Sequence, residues 1–267
     1  MLEKLKEFIR KYNSAGVAFS GGTDSAFLLA VCKEVLGDNV WAITANVPSL
    51  TTNDLRSSKE IISLLDVKST TINLYQFNIP KFPENTHKRC YFCKKAILTE
   101  ITTFGKEHNL DIIFDGANAS DNRFYRPGAE AARELGVVSP LKKFGFTKED
   151  IRHFSKEIYN LPTHDKPSDS CLVTRIPYNE SITPQKLEII REMEDYIHGL
   201  IKTPTYLRCA IHGNLLRIDI SENLLKSIMK ESIRKKILEK AKTKGFSLIT
   251  LDIEGFSTGK MDRKSDL

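Results

Sequence analysis

Val17-Ala18-Phe19-Ser20-Gly21-Gly22-Thr23-Asp24-Ser25-Ala26-Phe27-Leu28-Leu29 is the stretch whose reading decides the fold. Val17–Ser20 opens it as an apolar strand candidate, and Phe27, Leu28, Leu29, Val31 and Leu36 follow as a helical pattern. Two consecutive glycines between them let the backbone turn sharply from strand into helix. The same grammar repeats downstream. Val40–Val47, Ser69–Leu74 and Ile112–Phe114 with its neighbours read as strands, Val137–Leu141 as a short fifth strand, and Leu55, Ile61, Ile62 and Leu65 as a helix between two of them. Strands alternating with helices at this spacing predict an α/β fold, a doubly wound parallel sheet covered on both faces. Ligands of such sheets bind at the carboxyl ends of the strands.

After Arg175 the pattern changes. Leu187, Ile190, Met193 and Ile197 mark one face of an amphipathic helix over Thr183–Ile201. Tyr206–His212 and Leu215–Ile220 flank Gly213-Asn214 and predict a hairpin, and Ser247–Ile253 a further strand. We expect two domains, a nucleotide-binding domain over residues 1–178 and a smaller α+β domain over 179–267. The second is expected to serve substrate binding and homo-oligomerisation.

The chain has 267 residues, 40% hydrophobic and 28% charged, which describes a globular protein able to bury its own core. No stretch approaches the roughly 20 apolar residues that span a bilayer, and the charged, amphipathic start lacks the apolar run of a signal peptide. A cytoplasmic protein without membrane partners is expected. Five cysteines at uneven spacing argue against a disulfide framework. The formal charge of +6 suits an anionic partner, although spread-out lysines more often form a solvated surface.

Ser20-Gly21-Gly22-Thr23-Asp24-Ser25 has the chemistry of a phosphate cradle. Gly21 and Gly22 allow backbone to approach a triphosphate, the helix start aims N–H groups at it, and Ser20 and Ser25 add hydroxyl donors. Asp24 is suited to hold Mg²⁺ against the phosphates. No lysine stands in the loop and no G-K-[ST] follows, which separates it from a Walker A loop. SGGxDS between a strand and a helix resembles the signature of the PP-loop ATP pyrophosphatases. The resemblance implies ATP cleaved to AMP and pyrophosphate, with the adenylyl group passed to a substrate oxygen.

Cys90-Tyr91-Phe92-Cys93 is a C-x-x-C flanked by basic residues, and Cys171 stands alone in Lys166-Pro-Ser-Asp-Ser-Cys-Leu-Val-Thr-Arg-Ile-Pro-Tyr178. A C-x-x-C is a redox pair, half of a zinc site, two ligands of an iron–sulfur cluster, or a pair of buried thiols. Cys171 should return to the carboxyl end of the sheet, and three cysteines meeting there would suit a [4Fe–4S] cluster with one iron open to an exogenous sulfide. Cys32 and Cys209 read as core thiols.

Across nearly its full length the chain resembles the LarE family of ATP-dependent sulfur transferases. The matching stretches are AFSGGTDS, RCYFCKKAIL, DGANASDNRFYRPG, AARELGVVSPLKK, TKEDIR, LPTHDKPSDSCLVTRIPY and LDIEGFSTGKM. Family members with only the counterpart of Cys171 surrender its sulfur and act once. Those that also carry the C-x-x-C bind a [4Fe–4S] cluster through three cysteines, so the resemblance implies Cys90, Cys93 and Cys171 as cluster ligands and a catalytic reaction fed by sulfide. It further implies a small nucleotide-like carboxylate substrate, a pyridinium dicarboxylate mononucleotide, whose carboxylate is adenylated and then converted to a thiocarboxylate.

Gly116 in Asp115-Gly116-Ala117-Asn118 would admit close backbone approach, Arg126 would meet a phosphate or carboxylate, and Arg175 would neutralise substrate carboxylates or departing AMP. One of Lys142 and Lys143 is expected at the pyrophosphate. Family members grip the substrate phosphate with hairpin arginines. Arg208 matches the first, whereas Ala210 stands at the next alternate position and Asp219 where a glutamate is usual. Two other readings remain. A tRNA-thiolating PP-loop enzyme is mildly favoured by the basic charge and disfavoured by the absence of an evident RNA-binding element. A non-catalytic nucleotide sensor would keep the loop without the chemistry.

Overall fold

A computed structural model of the chain describes residues 1–123, 127–167, 170–203, 205–257 and 260. They fall into two compact units, Met1–Phe82 with Lys88–Lys166, and Pro83–His87 with Pro167 onward.

The first unit begins with Leu2–Ile9 (α1), Ala15–Ala18 (β1) and Thr23–Leu36 (α2), followed by Val40–Asn46 (β2), Thr52–Leu65 (α3) and Lys68–Asn73 (β3). Arg89–Glu107 (α4), Ile112–Asp115 (β4), Gly128–Glu134 (α5), Pro140–Lys143 (α6) and Lys148–Glu157 (α7) complete it. Among the described residues the sheet has four strands in the order β3-β2-β1-β4, all parallel. Side-chain alternation along each strand divides the core in two. Ala15, Val17, Val40, Ala42, Ile112 and Phe114 pack with α1, α2 and α7. Ala18, Trp41, Ile43 and Ile113 face the other way, against Leu98, Ile101 and Ala132 of α4 and α5. This is the helix-covered parallel sheet that the sequence pattern predicts.

Strand order reverses next to β1. The chain steps from β1 to β2 and β3 on one side, then crosses to place β4 on the other. The carboxyl ends of β1 and β4 therefore flank the topological switch point, where open α/β sheets take their ligands.

The expected fifth strand does not form. Val138 makes one isolated parallel bridge to Phe114, and Pro140 then starts α6. Proline has no N–H to give a sheet ladder, and its fixed φ suits the first turn of a helix.

In the second unit, Pro184–Ile201 (α8) is capped by Thr183, whose hydroxyl accepts the Lys186 N–H. Leu207–His212 (β5) and Leu215–Ile220 (β6) form the antiparallel hairpin, turned at Gly213 with φ of 58°. Leu225–Ile228 (α9), Glu231–Thr243 (α10) and Leu248–Leu251 (β7) follow, with β7 parallel to β6. The units divide at Lys166–Pro167, ahead of the expected Tyr178–Asn179. The Asn85 side chain donates to the carbonyls of Ile176, Pro177 and Glu180, and the Ile182 N–H to Pro83, which ties residues 176–182 into the second unit. No described helix is long and apolar enough to cross a membrane.

Candidate active site

The loop between β1 and α2 is built on Gly21. Its φ is 72°, and a Cβ there would stand 2.7 Å from the Asp54 carbonyl and 2.8 Å from the Ser58 nitrogen, both backbone atoms of α3. Only glycine meets both conditions. Gly22 precedes α2 in extended conformation, and no side chain caps that helix. The two serines do different work. Ser25 is buried, takes the Ser20 N–H at 3.3 Å and donates to the Gly22 carbonyl at 3.2 Å, so it braces the loop. The exposed Ser20 hydroxyl lies 3.4 Å from the Gly22 nitrogen, which donates to it. Thr23 anchors the helix start by donating to the Thr163 carbonyl at 2.8 Å.

Asp24 lies in the first turn of α2, and Lys148 Nζ meets its two carboxylate oxygens at 2.7 and 2.9 Å. Lys148 is the first residue of α7, a helix held by a reciprocal capping box between Thr147 and Asp150. Hydrogen bonds from the Thr147 hydroxyl and N–H hold the Asp150 carboxyl below its ordinary range. A second ammonium, Lys166 Nζ, donates to the Gly21 carbonyl at 3.2 Å and to Asp54 at 2.9 Å. Neither lysine is marked by local pattern in the sequence, and both lie within stretches that carry the family resemblance, Lys148 in TKEDIR and Lys166 in LPTHDKPS.

The β4 end adjoins the same loop. A Cβ on Gly116 would come within 2.9 Å of the Ser25 nitrogen, so this glycine admits α2 itself. Beside it, buried Asp115 accepts the Ser139 hydroxyl at 2.6 Å and the Lys94 ammonium at 3.1 Å. Lys94 follows Cys93 in the first turns of α4. The C-x-x-C is thus tied to the switch point through Lys94, Asp115, Gly116 and Ser25 in turn. Lys143 is engaged elsewhere, its ammonium 4.1 Å from the centre of the Phe8 ring.

Cys90 and Cys93 stand one helical turn apart, exposed and half-buried respectively. Residues at this separation share a helix face, so the two thiols fit adjacent ligands of one group. Buried Gln76 fixes one of them. Its Oε1 accepts the Ser49 N–H at 3.0 Å, which turns its amide N–H₂ toward Cys93 Sγ, also at 3.0 Å. Ser49 and Gln76 follow β2 and β3, placing Cys93 beyond the carboxyl edge of the sheet. Among the described residues, no three His, Cys, Asp or Glu side chains stand together as metal ligands. Burial pushes the Cys32 thiol far up, and raises Cys209 with the further influence of Glu194, which removes both as nucleophiles.

Cys171 belongs to the second unit, at the start of a short 3₁₀ turn, Leu172–Arg175, and is half-buried. Arg175 is wholly buried. Its Nε and Nη2 grip Glu194 at 2.9 and 3.2 Å, and Nη1 donates to the carbonyls of Ser170 and Cys171 at 2.6 and 3.3 Å. Glu194 also accepts the Cys209 N–H at 2.9 Å. The guanidinium expected to meet substrate charge is turned inward and fastens the backbone around Cys171, because an arginine this deep needs its own carboxylate and carbonyls.

On the hairpin, Arg208 stacks over the Phe256 ring at 4.5 Å. Ala210 is registered opposite Arg217, which places the Arg217 side chain on the same face of the hairpin as Arg208. Arg217 is held by Asp219 at 2.8 Å. Arg126 lies outside the described residues.

A family model described as NAD synthase matches residues 1–89. An uncharacterised protein of Synechocystis sp. is 32% identical over 98% of this chain and 97% of its own length. An uncharacterised protein of Methanocaldococcus jannaschii is 30% identical over 89% of this chain and 88% of its own. The pyridinium-3,5-bisthiocarboxylic acid mononucleotide synthase of Lactiplantibacillus plantarum is 28% identical over 92% of this chain and 88% of its own.

Proposed function

The chain belongs to the LarE family of PP-loop, ATP-using proteins, and from that premise we propose that it adenylates the carboxylate of a small nucleotide-like substrate and replaces AMP with sulfur. The observation that carries the reading is the run of contacts from Cys93 and Lys94 through Asp115 and Gly116 to Ser25, which joins the C-x-x-C helix to the phosphate loop within one unit.

In this reading the Gly21–Gly22 backbone, the Ser20 hydroxyl and the start of α2 receive the β- and γ-phosphates. Asp24 would hold Mg²⁺, an oxygen donor of the right hardness with its carboxylate 26% exposed. A substrate carboxylate oxygen bonds to the α-phosphorus as the bridging oxygen leaves with pyrophosphate. Sulfur then attacks the acyl carbon and AMP departs, giving a thiocarboxylate. Cys90, Cys93 and Cys171 would hold a [4Fe–4S] cluster, which supplies a soft, deprotonated sulfide. The Gln76 amide would support the Cys93 thiolate in that role. Arg208 and Arg217 would grip the substrate phosphate, with Arg175 keeping the Cys171 turn in place. The setting is the cytoplasm, where reducing conditions preserve thiols.

Anaerobic reconstitution with iron and sulfide tests the proposal. The wild type should turn brown and convert a pyridinium dicarboxylate mononucleotide, with ATP, to a product heavier by the exchange of oxygen for sulfur. Cys93→Ala should lose the visible absorption and the turnover. A colourless, iron-free wild type with full activity would remove the cluster. Tight, salt-dependent tRNA binding without thiolation of the mononucleotide would replace the substrate.

A further inference from the structure

Lys148 is the feature that the proposed chemistry does not yet use. An ammonium in the first turn of a helix faces the positive end of the peptide dipoles, which disfavours it. Glu149 and Asp150 beside it follow the usual preference, and Lys148 alone breaks it. Its compensation is remote, the paired contact with Asp24 at 2.7 and 2.9 Å. Among the described residues Asp24 has no other side-chain partner. Both ends of the pair remain partly open, at 28% exposure for Lys148 and 26% for Asp24, so the contact can exchange without disturbing the core.

Asp24 cannot keep this bond and also give both oxygens to a divalent cation, and two positive charges will not share one carboxylate cheaply. We propose that Lys148 is a placeholder for the metal at Asp24. When Mg–nucleotide arrives, its ammonium leaves Asp24, swings on its flexible stem and becomes the cation that neutralises the phosphates. Asp24 is thereby kept neutralised beside the empty loop, and the charge released from it is delivered where pyrophosphate develops. Lys166 differs. It is anchored by the Gly21 carbonyl and Asp54 and holds the loop to α3, so it stays in place.

The inference rests on the adenylation half of the proposed function, and its test is independent of any turnover. The full chain, as wild type and Lys148→Met, is titrated with Mn²⁺ alone, free metal being read by its paramagnetic resonance. It is then titrated with an α,β-methylene ATP analogue in saturating Mn²⁺. Removing the competing ammonium should tighten Mn²⁺ binding about 10-fold, since a unit charge at this range acts strongly on a second cation. The same variant should bind the nucleotide analogue about 10-fold more weakly. Lys148→Arg should restore both values toward wild type, and Asp24→Asn should abolish the Mn²⁺ site in either background. Unchanged Mn²⁺ affinity in Lys148→Met would overturn the placeholder role. Tighter Mn²⁺ with unchanged nucleotide affinity would overturn the transfer to phosphate. Should Lys148→Met fail to fold, Lys148→Gln carries the same comparison. If wild type releases no pyrophosphate with any carboxylic acid, the proposed function fails, while both titrations still judge Lys148.

Discussion

Replacing Gly21 with alanine tests how the phosphate loop is built. Two costs arise. A residue with a Cβ in the left-handed region loses about 1–2 kcal/mol. The new methyl would also stand 2.7 Å from the Asp54 carbonyl and 2.8 Å from the Ser58 nitrogen. Those are backbone atoms of a helix capped by Thr51 and anchored by wholly buried Ile61, so they cannot swing aside as a flexible side chain would. Crowding of this kind costs about 1–3 kcal/mol, and the sum is roughly 2–5 kcal/mol. Gly136 separates the two terms, because its φ is 70°, close to that of Gly21, with nothing within 4 Å of the added Cβ. Gly136→Ala should therefore cost only the strain, about 1–2 kcal/mol. Urea unfolding followed by tryptophan fluorescence measures both, since the chain has one tryptophan and Trp41 lies in β2 of the first unit. Gly21→Ala should also lose nucleotide binding. Equal destabilisation by the two alanines would refute the claim that α3 closes against the loop.

Arg175→Met should destabilise the second unit by about 3–5 kcal/mol by stranding buried Glu194, and Arg175→Met with Glu194→Gln should recover part of it; hydrogen exchange at α8 and β5 amides reports both. Asp150→Asn should cost about 1 kcal/mol at neutral pH by breaking the α7 capping box. Because the folded carboxyl is held low, that contribution is present above the unfolded value near ~3.9 and fades as pH falls through the lower folded value, so the two proteins should converge in acid, read by Trp41 fluorescence. Alkylation of the native protein, mapped by peptide mass, should modify Cys90 first and spare Cys32 and Cys209, which burial keeps protonated. Modification of Cys32 at the rate of Cys90 would contradict the packing of α2.

The local pattern of the chain determined the alternation of strands and helices, the glycine turn after β1 and the hairpin around Gly213. Each depends on neighbours within a few residues: apolar periodicity, the conformational freedom of glycine, the capping of a helix by the residue before it. Val137–Leu141 shows the limit, because its strand-like composition met a proline that local rules allow in a helix start and a sheet ladder refuses. Tertiary structure alone decided which charges meet. Lys148 finds Asp24 across 124 residues and Lys166 finds Asp54 across 112, so no window along the chain could pair them. The same holds for Arg175, whose sequence position beside Cys171 suggested an open cation. Burial against Glu194 fixed its direction, since a charge removed from water must take the partner that the fold supplies.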